Sequence, residues 1–376
     1  MSEGGRPLRI LMTADAVGGV WPYALTLIEA LGARPERFEV SLAVMGPRPS
    51  EAQRSRAEAL PNLRLFDSDF RLEWMPGAER DIERSADWLH DLAQECRPGV
   101  IHLNGYAHAA RRWPAPVVAV GHSCVLSWWR AVHGTSPPPE WSNYGRRVTL
   151  GLARADRVVA PTRAMLRALS YHYGLPRGGR VIANGCALGR FAAAPKEDFV
   201  LAAGRLWHAG KNLAALDAAA ARLSWPVYVA GDVRHPSGRT IEPRAAHALG
   251  TLAPETLAEW MARAAVYALP ARYEPFGLSV LEAAASGCAL VLGDIPSLRE
   301  LWERAAVFVP PEHPAALADA IATLMTDPRR RTALAAQAQR RAQNFSAARM
   351  AERYAELYDE LTSARPATTT LMAGAD

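Results

Sequence analysis

The sequence predicts two α/β domains in succession, each a doubly wound parallel sheet, and three observations carry that prediction. Short, almost wholly apolar runs alternate with helix-length amphipathic stretches along most of the 376 residues. Strands covered by helices on both faces read this way. The series also starts twice, at Leu8 and again at Phe199. Finally, the chain is longer than the roughly 250 to 300 residues at which a single core stops growing. The expected organisation is a first domain over residues 1–190, a second over 191–345, a final helix over 346–362 and a disordered tail over 363–376.

The first series runs through "LRILMTA" at Leu8, "FEVSLAVMG" at Phe38, "NLRLFD" at Asn62, "VIHLN" at Val100, "PVVAVGH" at Pro116 and "RVVAPT" at Arg157. Helical stretches such as Trp21 to Ala33 and Asp81 to Cys96 separate them. The second series is "FVLAAGRL" at Phe199, "VYVAGD" at Val227, "AVYALP" at Ala265, "ALVLGD" at Ala289 and "AVFVP" at Ala306. Between the two, from Phe191 to Asp198, alanine, proline and charge replace periodicity. Met350, Tyr354, Leu357, Tyr358 and Leu361 recur at helical spacing in the last ordered segment, and "SARPATTTLMAGAD" after it has no period.

Composition narrows the class. The chain is 49% hydrophobic and 22% charged, as in ordinary globular proteins. Cys96, Cys124, Cys186 and Cys288 lie far apart without C-x-x-C spacing, which reads as buried thiols in a reducing compartment. No uninterrupted apolar run reaches membrane-spanning length, and the start lacks the features of a signal peptide, so a cytoplasmic location is expected. Net charge is +5 and uneven: up to Arg190 there are 24 basic against 18 acidic residues. A basic first half suits an anionic or lipid-linked acceptor and a peripheral contact with the inner membrane face; nucleic acid is not expected. Of the 43 basic residues only Lys196 and Lys211 are lysines. Lys196 falls in the expected linker, whereas Lys211 falls in a loop that opens a helix.

Ligands of open parallel sheets sit beyond the carboxyl ends of the strands. The first such loop, "ADAVGGVW", offers Gly18 and Gly19 for close approach to an anion, and it lacks G-x-G-x-x-G, which argues against a nicotinamide enzyme. The loop "GRLWHAGKN" places Arg205 and Lys211 where two cations can neutralise a diphosphate leaving group. In "RYEPFGLSVLEAAASG", Glu274 and Glu282 bracket an apolar run. The amides of Phe276, Gly277, Leu278 and Ser279 face an anion there, while each carboxylate suits sugar hydroxyls. Diphosphate flanked by two hydroxylated groups describes a nucleotide sugar.

These residues resemble the retaining family-four glycosyltransferases of GT-B architecture. The resemblance rests on "EPFGLSVLE", on "GRL" with Lys211, on Asn184–Gly185 and on the glycine loop, in order from Leu8 to about Leu361. It implies two Rossmann-like domains facing a cleft, with the last helix crossing back onto the first. It implies that Arg205 and Lys211 hold the donor diphosphate, Glu282 the ribose and Glu274 the transferred sugar, and that His122 contacts that sugar. It also implies a nucleotide diphosphate sugar as co-substrate, a hydroxyl acceptor, and no metal or other cofactor.

There are departures: Ser123 stands where many relatives are acidic, Trp207 and His208 where charge is common, and Asn212 where glycine follows the lysine. For the acceptor side the candidates are the segment "SCVLSWWRAVHGTSPPPEW", read as a lid loop, and Arg111, Arg112, Arg130, Arg146 and Arg147. Seven of the eleven tryptophans lie in the first domain, most of them suited to core packing. A pyridoxal-dependent phosphorylase is disfavoured because neither lysine is suitably placed. A nucleotide-sugar epimerase or hydrolase, or a non-catalytic sugar-nucleotide-binding protein, remains open on sequence alone.

Overall fold

The computed structural model describes residues 6–192, 194–234, 238 and 240–364. Of the tail expected over 363–376, Ser363 is instead the last residue of the final helix, Ala364 follows it, and 365–376 lie outside that set. The first sheet holds β1 (Leu8–Asp15), β2 (Phe38–Met45), β3 (Leu63–Asp67), β4 (Val100–Leu103), β5 (Val117–Val120), β6 (Arg157–Ala160) and β7 (Arg180–Val181). Their order is β3-β2-β1-β4-β5-β6-β7, and every pair is parallel. The second holds β8 (Glu197–Ala203), β9 (Val227–Ala230), β10 (His247–Gly250), β11 (Ala264–Leu269), β12 (Ala289–Gly293) and β13 (Val307–Val309), ordered β10-β9-β8-β11-β12-β13, again all parallel. In both, the chain starts mid-sheet and reverses direction at the first strand, which opens a crevice at the carboxyl ends of the central strands.

Each apolar run of the sequence is a strand. Two strands had no such signal: β7 is two residues long, and all of β10 is at least partly solvent-exposed.

Helices cover the faces of both sheets: α1 (Val20–Leu31), α2 (Glu51–Glu58), α3 (Glu79–Cys96), α4 (Val125–His133), α5 (Ser142–Arg154) and α6 (Arg163–Tyr173) in the first half. The second half has α7 (Leu213–Ala220), α8 (Pro254–Arg263), α9 (Leu278–Ala285), α10 (Pro296–Trp302), α11 (Pro314–Thr326) and α12 (Pro328–Ala342). The chain then returns as α13 (Ala347–Ser363), capped by the Ser346 hydroxyl. Met350, Tyr354, Leu357 and Tyr358 of α13 are buried in one core with Leu25 and Ile28 of α1, so the last helix belongs to the first domain's packing. At the crossing, a Cβ on Gly185 would stand 2.4 Å from the Ser346 carbonyl oxygen, which is why Asn-Gly appears there. Ala347 N–H donates to the Cys186 carbonyl at 2.9 Å beside it.

The segment read as a lid is not a loop: Val125–His133 is α4. The Cys124 sulfur caps its first turn by accepting from Ser127 N–H, and Gly134 ends it in the left-handed region at φ 69°. Its apolar side packs on the first domain's core, and that burial outweighs the loop signals of the serines and the following Pro-Pro-Pro. All four cysteines are buried and unpaired. Among the described residues, no helix is long and apolar enough to cross a membrane.

Candidate functional site

The loop after β8 turns at Gly204, whose φ of 143° excludes a side chain and leaves a Cβ position 3.3 Å from Lys211 Cε. Lys211 therefore lies in a groove shaped for its alkyl stem. Asn212 follows in the left-handed conformation at φ 61° and donates from Nδ2 to the Pro270 and Pro311 carbonyls at 2.9 and 2.8 Å. A glycine suits such a backbone, and asparagine is one of the few other residues that tolerates it, so this departure keeps the loop's geometry.

Lys211 Nζ forms an ion pair with the Glu274 carboxylate, both side chains being mostly buried. Burial pushes the Glu274 carboxyl up, but the Lys211 ammonium, the Phe276 amide and Arg205 outweigh it and hold the group below the usual carboxylate range. Lys211 spends one of its three donors on Glu274 and retains two for a phosphate. Arg205 lies over the Trp207 ring at 5.5 Å and forms no ion pair among the described residues. Its guanidinium abuts Gly18, where a Cβ would sit 3.2 Å from Cζ. So Gly18 provides room for Arg205, while its amide is turned back onto the Asp15 carboxylate at 3.2 Å. Gly19 caps α1 and lies next to Leu278 across the crevice.

Gly277, at φ 87°, starts α9 without a side-chain cap. The amides of Gly277, Leu278 and Ser279 have no acceptor among the described residues and sit at the positive end of the helix. The Ser279 hydroxyl is taken by Tyr267 at 2.8 Å. One turn further, the Glu282 carboxylate has no hydrogen bond or ion pair with any described residue. Burial pushes its pKa up to about 7, with Arg56 of α2 pulling the other way. This carboxylate is the orphan that the apolar run suggested.

The first domain's contribution is neutral. Asn104, just after β4, is fixed by Thr13: its N–H meets the Thr13 hydroxyl at 2.9 Å and its Nδ2 donates to the Thr13 carbonyl at 2.7 Å. That orientation makes Asn104 Oδ1 an acceptor, and it receives His122 Nε2–H at 2.9 Å. The proton on His122 is thereby assigned to Nε2, leaving Nδ1 as an acceptor. Burial, and then His102, lower the His122 pKa to about 3, so the ring is neutral at physiological pH. His102 lies behind, fully buried, hydrogen-bonded to Asn104 at 3.2 Å and to the Tyr358 hydroxyl of α13 at 2.6 Å. The sequence pointed to His122 but not to Asn104 or His102, since neither residue type nor spacing distinguishes them from ordinary strand ends.

A further unanticipated contact joins the domains. The Tyr273 hydroxyl accepts from Cys124 N–H at 3.1 Å and bonds the Ser127 hydroxyl at 2.8 Å, while Thr162 donates to the Pro275 carbonyl at 3.0 Å. The arginines proposed for an anionic acceptor fall into two groups: Arg111 and Arg112 line one surface pocket with Asp87 and Asp91, while Arg130, Arg146 and Arg147 lie on α4 and α5. Arg111 pairs with Asp87, Arg147 with Glu79 at 3.8 Å, and Arg130 bonds Tyr171 at 2.8 Å.

The chain matches two family models and several known proteins. Residues 17–190 match the model described as Glycosyltransferase Family 4, and residues 197–327 match Glycosyl transferases group 1. The chain is similar to curated enzymes named D-inositol 3-phosphate glycosyltransferase. It is 36% identical to that of Kineococcus radiotolerans over 30% of this chain and 28% of that one. For Rhodococcus opacus the identity is 29% over 66% and 63% of the two chains. For Rhodococcus erythropolis it is 28% over 94% and 88%. The matched stretch thus spans less than two thirds of the Kineococcus and R. opacus enzymes. Among solved structures, sucrose-phosphate synthase from Thermosynechococcus elongatus superposes with a TM-score of 0.81 at 20% identity, covering 95% of this chain and 100% of that one. Anabaena HepE in complex with UDP and glucose gives 0.73 at 20% identity, over 94% and 100%. With both domain models matched in order and the two-sheet architecture in place, the chain belongs to the family-four glycosyltransferases of GT-B fold.

Proposed function

We propose that the chain transfers a sugar from a nucleotide diphosphate sugar to a hydroxyl acceptor with retention of anomeric configuration and without a metal ion. The observation that carries the reading is the grouping of Arg205, Lys211 and the open α9 amides around one spot, with Glu274 on one side and the unpartnered Glu282 on the other. Two cations and a helix terminus supply the positive potential that a diphosphate leaving group needs. Glu282 accepts ribose hydroxyls. Glu274 and His122 Nδ1 accept hydroxyls of the moving sugar from its two sides.

For stereochemistry, inversion needs a base opposite the leaving group. His122 is neutral with a depressed pKa and would be a weak base, and Asp15 is engaged by Val17 and Gly18. Double displacement needs a carboxylate nucleophile, but Glu274 is tied to Lys211. Front-face attack remains: the departing diphosphate, held by Arg205 and Lys211, takes the acceptor's proton as the sugar passes through an oxocarbenium-like state. The buried thiols fit a reducing compartment, and the proposal places the enzyme in the cytoplasm.

The test is a panel of nucleotide sugars with and without acceptor. A UDP-sugar comes first because Anabaena HepE is seen in complex with UDP and glucose, and D-inositol 3-phosphate is the first acceptor because the similar curated enzymes are named for it. Acceptor-dependent release of nucleotide, with an α-linked product from an α-linked donor by proton NMR, is the expected result. Hydrolysis or epimerisation without acceptor, or binding alone, would replace the reading with one of those activities, and a β-linked product would overturn the mechanism.

A further inference from the structure

The basic charge of the first half is concentrated in one stretch. Residues 121–181 hold nine arginines against two acids, Glu140 and Asp156, where an even spread of the chain's 38 acidic residues would put about six. Asp156 is turned inward, accepting from Val117 N–H at 2.8 Å. Of the nine arginines only Arg147 and Arg180 form ion pairs among the described residues. A second, independent observation falls on the same stretch. Three large hydrophobic side chains are exposed among the described residues, Leu150 at 46%, Tyr171 at 70% and Val181 at 37%, and all three lie within it.

The fold gathers these features. Helices α4, α5 and α6 pack together in the core on one face of the first sheet, while α1 and α13 pack in the core on the other. Arg146 and Leu150 are one turn apart on the outer side of α5, and Arg167 and Tyr171 are one turn apart on the outer side of α6. Arg130 of α4 donates to the Tyr171 hydroxyl at 2.8 Å and lies over its ring at 5.2 Å, joining α4 to the same surface. Acids lie along its edges: Glu300 caps the start of α6 and, with Asp294 and Glu303, lines the surface pocket that Arg163 and Arg167 also line, while Glu356 and Glu360 of α13 meet Arg180.

We infer that this α4–α6 face docks on an anionic lipid surface. Unpaired arginines meet headgroup phosphates, Tyr171 sits at the interface, and Leu150 enters the acyl boundary. A nucleic acid would use the arginines but gains nothing from exposed Leu150 and Val181. The face also borders the crevice, because α4 begins at Cys124, which Tyr273 of the second domain contacts. A lipid-linked acceptor would thus enter from the membrane side. This inference goes beyond the proposed transfer reaction, and its test needs no turnover.

The full chain is sedimented with vesicles of phosphatidylcholine alone and of phosphatidylcholine mixed with phosphatidylglycerol. Binding to the mixed vesicles only, weakened by salt, is expected. The Arg167→Glu/Tyr171→Ser variant should lose about tenfold in vesicle affinity, and Leu150→Ser less, with melting temperature unchanged. No preference for anionic vesicles would overturn the inference. So would equal binding by the variants, or tight binding to heparin and DNA that ignores Leu150→Ser, which would mark a general polyanion surface.

Discussion

The two walls of the crevice work by opposite means. The second domain presents charge: Arg205, the Lys211–Glu274 pair and Glu282, on loops that run directly into helices. The first domain presents a neutral, hydrogen-bonded chain from Thr13 through Asn104 to His122, backed by His102 and Tyr358. Charged groups near a leaving group act through field, so losing one should be costly whatever its precise pose. Neutral groups act through orientation, so their loss should show in how activity varies with conditions as much as in its size.

The largest effect should come from Lys211. Removing a charge-assisted contact to a departing diphosphate costs about 2 to 4 kcal/mol in the transition state, or about 30- to 1,000-fold in turnover, for Lys211→Ala. Lys211→Arg should recover little, because the stem lies against Gly204 in a groove with a Cβ position only 3.3 Å from Cε. Steady-state kinetics on both variants decides it; near-wild-type turnover in either would mean that charge alone suffices or that Lys211 does not meet the diphosphate.

On the neutral wall, Asn104→Ala should reduce turnover by about tenfold, through a misaligned His122. Asn104→Asp is more informative. A carboxylate 2.9 Å from Nε2 would raise the His122 pKa from about 3 and stabilise the cation. At saturating donor, where the ionisation of Glu282 no longer limits binding, turnover that needs a neutral imidazole would then be lost as pH falls through the new value, giving an acidic limb in kcat absent from the wild type. The other titratable groups facing the ring are Tyr23 of α1, its centroid 4.3 Å away, and His102 of β4, with Tyr354 and Tyr358 of α13 behind. Burial pushes the tyrosines far up, and His102 titrates near 4. An unchanged pH profile would remove His122 from the reaction.

The contrast also explains what could be read from the sequence. Strands such as "AVYALP" and "ALVLGD" are legible because burial on both faces forces continuous apolar runs, whereas β7 and β10 are edge strands with little to bury. Glu282 was legible because a carboxylate in an apolar helix is costly and stands out, and Lys211 because lysine is so rare here. Asn104 and His102 were not, since their role depends on a tautomer and on Tyr358, which lies 256 positions from His102. The α4 segment misled because Pro-Pro-Pro after it resembles a loop, while its helix is held by contacts remote in sequence.

Glu282 offers a smaller and double test. If its ionised form accepts ribose hydroxyls, donor affinity should rise with pH up to about 7 and then level off; Glu282→Gln should bind about tenfold more weakly at pH 8 and lose that slope in calorimetry. Stability should move the other way. The folded pKa lies above the unfolded value of 4.5, so between those values the folded state holds the extra proton and stability falls as pH rises. Above pH 7, Glu282→Gln should therefore be more stable by about 1 to 3 kcal/mol, and near pH 4 about equal to wild type. A variant that binds donor normally would show that the orphan carboxylate serves another purpose.

The smallest effect is expected at Tyr273, where the two walls touch. Its hydroxyl accepts the amide of Cys124, two residues beyond His122, and bonds Ser127, while Tyr273 itself lies one residue before Glu274. The contact therefore fixes the spacing between the charged wall and the neutral one. Tyr273→Phe keeps the ring and deletes only these bonds, a loss of about 1 kcal/mol and about fivefold in kcat/KM. If the hydroxyl sets that spacing, the loss falls mainly on turnover, and amide exchange at Cys124 quickens while the rest of α4 is unchanged. If it merely helps the fold, the whole of α4 exchanges faster, the melting temperature drops, and turnover at saturating substrates stays as in wild type.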